Sequence, residues 1–233
     1  MKALYAFYAL PARGLLLLAM FLMSAASIAQ VADSSAQSMA QATAHEVISE
    51  TTERVLQVIE EARGYASQDP DRYYAAVHQV LDPVVDYGGF ARGVMGQYAT
   101  GARYKSLDDA GRKKLRSQVE RFTETMRVGL IRTYSKGLLA FGGSRVELLE
   151  DERQQKNAKR AQLRQLIYSD APEPYEVVYS MARSRGGEWQ MRNLIVENIN
   201  LGQIYRSQFE SAARRFNGDL DQVIDNWSTD AAR

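Results

Sequence analysis

The hydrophobic period of this chain changes once, at Gly142-Gly143, and that change limits the fold more than any single motif does. Before it, Leu115, Val119, Phe122, Met126, Leu130, Tyr134, Leu138 and Phe141 follow one another at spacings of three and four. This predicts one long helix from Leu107 to Phe141, opened by Ser106 and Asp109 in the manner of a capping box and stopped by the glycine pair. After it come four runs of strand length, RVELLE, KRAQLRQLIYS, YEVVYSMARS and EWQMRNLIVE. Alternation is clearest at Tyr175, Val177, Tyr179 and Met181, and Gly186-Gly187 gives the last two runs a tight hairpin. Consecutive strands with short connections make an antiparallel sheet with one face to bury, which helices must cover. The class is therefore α+β: several helices flanking a curved four-stranded antiparallel sheet.

The remaining helices follow from the same reading. Val47, Ile48, Thr51, Val55, Val58, Ile59 and Ala62 recur at helical spacing up to Gly64. Asp69-Pro70 and Asp82-Pro83 each set a capping carboxylate before a proline, predicting two further helix starts. The second leads into FARGVMGQYA, where Phe90, Ala91, Val94, Met95 and Tyr98 share one arc while Gly93 and Gly96 occupy the back. Each glycine costs about 1 kcal/mol against alanine inside a helix, so the pair predicts a neighbour packed close behind. Asn200 caps a last long helix carrying Leu201, Ile204, Tyr205, Phe209, Ala212 and Phe216, ended by Gly218, with a short helix over Leu220 to Trp227 beyond it.

Residues 1–29 read as a secretory signal peptide: Lys2 and Arg13 are its only charges, Leu15 to Met23 is apolar, and Ser27 and Ala29 are small. That apolar run is well short of the roughly 20 residues a spanning helix needs. Residues 30–233 are then a single domain. The chain carries 29 Lys+Arg against 28 Asp+Glu, a balance with no nucleic-acid footprint. An exported chain with no cysteine neither relies on disulfides nor risks mispairing, which suits a bacterial periplasm.

Catalytic groups are sparse. Without cysteine, thiol nucleophiles and thiolate metal sites are excluded. His45 and His78 are the only histidines, fall on different helices and read as solvated. Gly142-Gly143-Ser144-Arg145-Val146 departs from a nucleophile elbow at its last position and follows a helix. The acidic groups Asp108-Asp109 and Glu150-Asp151-Glu152 sit at helix starts or in loops. The basic runs Gly111 to Arg116, and Arg153, Lys156, Lys159 and Arg160, read as solvated faces. What stands out is the number of large apolar and aromatic side chains aimed at the sheet, which is either a filled core or the wall of a cavity.

FARGVMGQYA, the long helix RFTETMRVGLIRTYSKGLLAF and the final EWQMRNLIVENINLGQIYRSQF resemble, in that order, the MlaC-type periplasmic phospholipid-binding proteins, the toluene-tolerance family. Gly96 to Tyr98, the Trp189 strand and Tyr205 to Phe209 carry the likeness most specifically. The resemblance implies a non-enzymatic carrier without cofactor or metal, holding a phospholipid by its acyl chains in an apolar cavity between helices and sheet. It further implies a monomer moving lipid between an outer-membrane lipoprotein complex and an inner-membrane ABC transporter with a lipid-binding ring domain, which maintains outer-membrane lipid asymmetry. The lipid contacts it implies are Phe90, Val94, Met95, Tyr98, Phe122, Met126, Leu130, Tyr134, Leu138, Phe141, Tyr179, Trp189, Tyr205, Arg206 and Phe209. Asn193, Asn198 and Asn200 stand where the family often has Asp, Gly and Ser; Asn tolerates positive φ and caps helices, so the last two changes are compatible with the same turn and helix start. The alternatives are a small-substrate periplasmic enzyme, or an adaptor or chaperone, built on the same fold.

Overall fold

The computed structural model describes residues 42–139, 145–149, 158–169 and 172–228. The signal-peptide boundary, Phe141, Gly142-Gly143 and the acidic run at 150–152 lie outside the described residues, as do Arg153 and Lys156.

Helix α1 (Ala44–Ala62) opens with a complete capping box: the Thr43 hydroxyl accepts from the Glu46 N–H and the Glu46 carboxylate accepts from the Thr43 N–H. Helix α2 (Pro70–Leu81) starts where Asp69-Pro70 predicts, with the Asp69 carboxylate accepting from Arg72 N–H at 3.1 Å. The second Asp-Pro pair behaves differently. Asp82 closes α2, and the chain from Val84 runs alongside the sheet, bonding Met191 through Met191 N–H to Val84 O (2.7 Å) and Asp86 N–H to Met191 O (3.0 Å). Helix α3 (Tyr87–Met95) therefore begins later than the sequence suggests, capped by Asp86 on Gly89 N–H at 2.8 Å. Pairing with the sheet overrides the local signal.

Gly96, predicted inside this helix, ends it at φ 55° and ψ −124°. A 3₁₀ turn (Gly96–Ala99) and the short α4 (Gly101–Ser106), capped by Thr100, follow. The long helix is α5 (Asp109–Leu139). Its capping residue is Asp108, which accepts from Gly111 N–H at 2.8 Å, whereas Ser106 donates back to the Arg103 carbonyl.

Among the described residues the sheet is antiparallel and has five strands in sequence order: β1 (Arg145–Leu149), β2 (Arg160–Tyr168), β3 (Tyr175–Arg183), β4 (Trp189–Val196) and β5 (Ile199–Asn200). The fifth strand corrects the expectation of four. It exists because Glu197 and Asn198 both take positive φ, the geometry of a two-residue hairpin turn that sends two residues back along β4. On β2, Ala161, Leu163 and Gln165 alternate inward. Helices α6 (Leu201–Arg215) and α7 (Leu220–Asp225) close the described chain.

Three apolar clusters hold these layers together. The largest joins α3, α5, α6 and α7 through Met95, Phe122, Met126, Tyr205, Phe209 and Val223, all fully buried, with Trp227 packed onto Phe122 and Phe209 at ring separations of 5.1 and 5.8 Å. A second packs the start of α1 on the sheet through Ile48, Leu163, Met181 and Trp189. A third joins α1 to α2 through Ala62, Tyr73 and Val77. The Tyr73 hydroxyl donates to the Ser135 carbonyl at 3.0 Å, tying α2 to α5.

Candidate functional site

Between these clusters lies a cavity of about 420 Å³. Its walls come from every layer: Ile48, Val55, Leu56 and Ile59 on α1, Val77 and Leu81 on α2, and Tyr87 and Phe90 on α3. Helix α5 contributes Leu130, Ile131, Tyr134 and Leu138, and the sheet contributes Val146, Ile167, Val177, Met191 and Val196. The lining is overwhelmingly aliphatic and aromatic, and the volume falls within the range of small-molecule and cofactor sites.

Five of the sequence-predicted contacts line this space: Phe90, Leu130, Tyr134, Leu138 and Tyr179. Phe141 lies outside the described residues, and the remaining predicted contacts sit elsewhere. Val94, Met95, Phe122, Met126, Tyr205 and Phe209 form the closed core beside the cavity, and Tyr98 packs on Phe209 with ring centroids 5.9 Å apart. Trp189 belongs to the α1–sheet cluster, its ring covered by the Arg183 guanidinium at 4.7 Å. Arg206 is exposed and donates from Nε to the Gly93 carbonyl at 2.9 Å. Helix α5 thus changes role along its length: it is core up to Met126, while Leu130 and Tyr134 touch the core on one side and border the cavity on the other.

The sequence reading assigned none of the α1 wall, nor Gln165 and Ile167. Two signals pointed there: Val55 and Leu56 widen the apolar stripe of α1 beyond what one contact line requires, and Leu163, Gln165 and Ile167 alternate on β2.

Polar groups in the wall are few, and most are held; among the described residues Ser135 Oγ and Arg192 Nε are buried without a partner. Asp86 accepts from Gly89 N–H and pairs with Arg192. A Cβ on Gly89 would lie 2.0 Å from the Asp86 carboxylate, so this cap requires glycine there. Asn193 accepts from Gly202 N–H at 3.0 Å and donates to the Asn200 carboxamide at 2.9 Å, while Asn200 accepts from Gln203 N–H. Asn193 is thus part of the α6 cap. Tyr134 and Tyr205 share a hydroxyl contact at 3.3 Å. Gln165 accepts from the Tyr179 hydroxyl at 2.6 Å and donates to the Thr52 hydroxyl at 2.9 Å. Burial pushes the Tyr87, Tyr134 and Tyr179 phenols up, and that of Tyr73 to about 12, so all four are neutral donors at physiological pH.

Among the described residues, no group of three or more His, Asp or Glu side chains could hold a metal ion, and no helix is long and apolar enough to cross a membrane. His78 contacts Arg127 and lies 3.3 Å from Asp82. His45, read as solvated, has its Nε2 buried without a partner among the described residues. The basic run beginning at Gly111 is partly neutralised by α7, with Lys114 3.1 Å from Asp221.

Comparison with known proteins gives concordant results. The family model described as MlaC protein matches residues 49–229. Toluene tolerance protein ttg2D of Pseudomonas putida is 30% identical over 191 residues, covering 82% of each chain. The phospholipid-binding protein of Ralstonia solanacearum, whose structure holds a phospholipid, superposes with a TM-score of 0.64 at 16% identity, covering 79% of this chain and 94% of that one. At that identity the likeness carries the fold.

Proposed function

This chain belongs to the MlaC family, and from that premise we propose that it is a phospholipid carrier that holds acyl chains in the cavity between α1, α5 and the sheet. The observation that carries the reading is the cavity itself: 420 Å³ lined almost wholly by hydrocarbon side chains, in a fold shared with a protein whose structure contains a phospholipid. Phe90, Leu130, Tyr134, Leu138 and Tyr179, together with the α1 wall, contact the tails, and the charged head group stays in water, where it loses no hydration.

Energetics decide how such a carrier works. Each buried CH₂ contributes roughly 0.8 kcal/mol, so two acyl chains with about 30 methylenes are worth on the order of 24 kcal/mol against water. That exceeds the practical affinity ceiling of about 21 kcal/mol. Release into water is therefore too slow to be useful, and unloading takes place where another apolar site replaces the cavity. On this reading residues 1–29 direct the chain to the periplasm. There it exchanges lipid with an outer-membrane lipoprotein complex and an inner-membrane ABC transporter, maintaining outer-membrane lipid asymmetry without chemistry of its own.

The test is native mass spectrometry of the protein purified gently from the periplasm, followed by solvent extraction. A mass excess matching one or two phospholipids is the expected result. A bare polypeptide mass, unchanged after incubation with phospholipid vesicles, overturns the proposal.

A further inference from the structure

One polar feature of the cavity wall is left unexplained by a purely hydrocarbon grip. Gln165 on β2 faces inward and is only 3% exposed, yet it lies in an apolar wall. It joins Tyr179 on the neighbouring strand to Thr52 on α1, so the three side chains form a relay across two layers. All three line the cavity.

The donors and acceptors do not balance. A tyrosine hydroxyl, a carboxamide and a threonine hydroxyl carry four polar hydrogens between them. The two bonds of the relay use two of these, and no other acceptor among the described residues takes the rest. As oriented, the second Gln165 N–H and the Thr52 O–H are unspent; with the carboxamide reversed, they are the second Gln165 N–H and the Tyr179 O–H. Either way two donors remain, on a wall where an unsatisfied hydrogen is destabilising. Elsewhere on the wall Asn193 is engaged by Gly202 and Asn200 and Arg192 by Asp86, while Arg192 Nε and the single hydroxyl of Ser135 lack a partner among the described residues; only the relay sets two unspent donors side by side on an uncharged group.

Resting on the carrier reading, we infer that the Thr52–Gln165–Tyr179 relay binds the ester carbonyl of the phospholipid and so sets the depth at which the chains are held. The missing partner must be an acceptor, uncharged, and attached to hydrocarbon. A phosphate or carboxylate would bring a charge into a wall whose only cation among the described residues, Arg192, is already paired with Asp86. The ester carbonyl is the one polar group every acyl chain carries with it, and it meets all three conditions.

Ether-linked phospholipids lack this carbonyl and provide the test. Lipid-free full-length mature protein is loaded with a fluorescent fatty-acyl probe and titrated with two phosphatidylcholines of equal chain length, one diester and one diether. The diester is expected to displace the probe roughly three- to tenfold more effectively, the range of one net hydrogen bond. In the Thr52→Val, Gln165→Met, Tyr179→Phe triple variant, which removes every donor of the relay, the two lipids become equivalent. A ratio below about twofold in the wild type, or a preference that survives in the triple variant, overturns the assignment. If the triple variant does not fold, the infrared carbonyl band of an ester-labelled lipid in the wild-type protein decides: it falls below its position in alkane if the relay binds it, and stays there if not. Failure of both lipids to displace the probe overturns the carrier reading and this assignment together; equal displacement overturns the assignment alone.

Discussion

Gly93 and Gly96 look alike in sequence and are expected to respond oppositely to alanine. Gly93 lies within α3, and a Cβ built there meets nothing within 4 Å. Gly93→Ala therefore removes backbone entropy from the unfolded chain at no steric cost and stabilises by about 0.5–1 kcal/mol. Gly96 has φ 55° and ψ −124°, a conformation that side chains disfavour by about 1–3 kcal/mol. A Cβ there would also lie 3.2 Å from Arg206 Nε, but Arg206 is an exposed, flexible side chain, so this contact is the lesser effect. At roughly 2–4 °C per kcal/mol for a chain of this size, Gly93→Ala raises the melting temperature by about 1–4 °C and Gly96→Ala lowers it by about 2–12 °C. The double variant Gly96→Ala, Arg206→Ala separates the two causes. If backbone strain dominates, removing Arg206 does not rescue Gly96→Ala. Differential scanning fluorimetry with urea titration reads all three variants. A shift of the same sign for both glycines, or full rescue by Arg206→Ala, refutes the reasoning.

Three further predictions concern the cavity and the ionisable groups. Leu130 borders the cavity, so Leu130→Trp is expected to reduce copurifying phospholipid at least about tenfold while the far-ultraviolet circular dichroism is unchanged; full lipid occupancy in that variant would remove α5 from the lipid wall. At acid pH the sign follows from Glu124 and Asp221. The Arg127 hydrogen bond holds Glu124 below its ordinary value. Burial raises Asp221, but hydrogen bonds from Lys114, Gln118 and Arg121 outweigh it and leave the carboxyl lowered. Both groups stabilise while ionised, so the melting temperature holds down to about pH 4 and falls below it, less steeply in Asp221→Asn. The raised phenols of Tyr73, Tyr87 and Tyr179 work in the opposite sense: their contribution is complete below about pH 10 and is lost as pH rises through their folded values.

Periodicity and capping chemistry made the layers legible. Asn200 caps α6 as its position predicts, and the change of period separates α5 from the sheet. What was not legible is what lies opposite each apolar face. Phe122 and Leu130 lie about two turns apart on one helix and read identically in sequence, yet one packs against Phe209 and the other borders the cavity. A helical wheel gives a direction, not a neighbour. Asp82-Pro83 failed as a helix start for a related reason: its continuation is claimed by Met191, more than a hundred residues away. Gly96 was misread because a helix-interior glycine and a terminating one differ only in φ. The positions of the α1 wall needed the same long-range information, since Thr52 gains meaning only through Gln165.

The two tryptophans occupy different clusters. Trp189 is buried between α1 and the sheet, and Trp227 closes the aromatic group of α5 and α6. The molecule thus carries a built-in optical probe in each layer, and replacing either indole by phenylalanine leaves the other to report alone. If the helical and sheet layers unfold as one, the two single-tryptophan proteins share a denaturation midpoint once each variant's own stability change is subtracted; if not, the separation of the midpoints measures how far one layer outlasts the other.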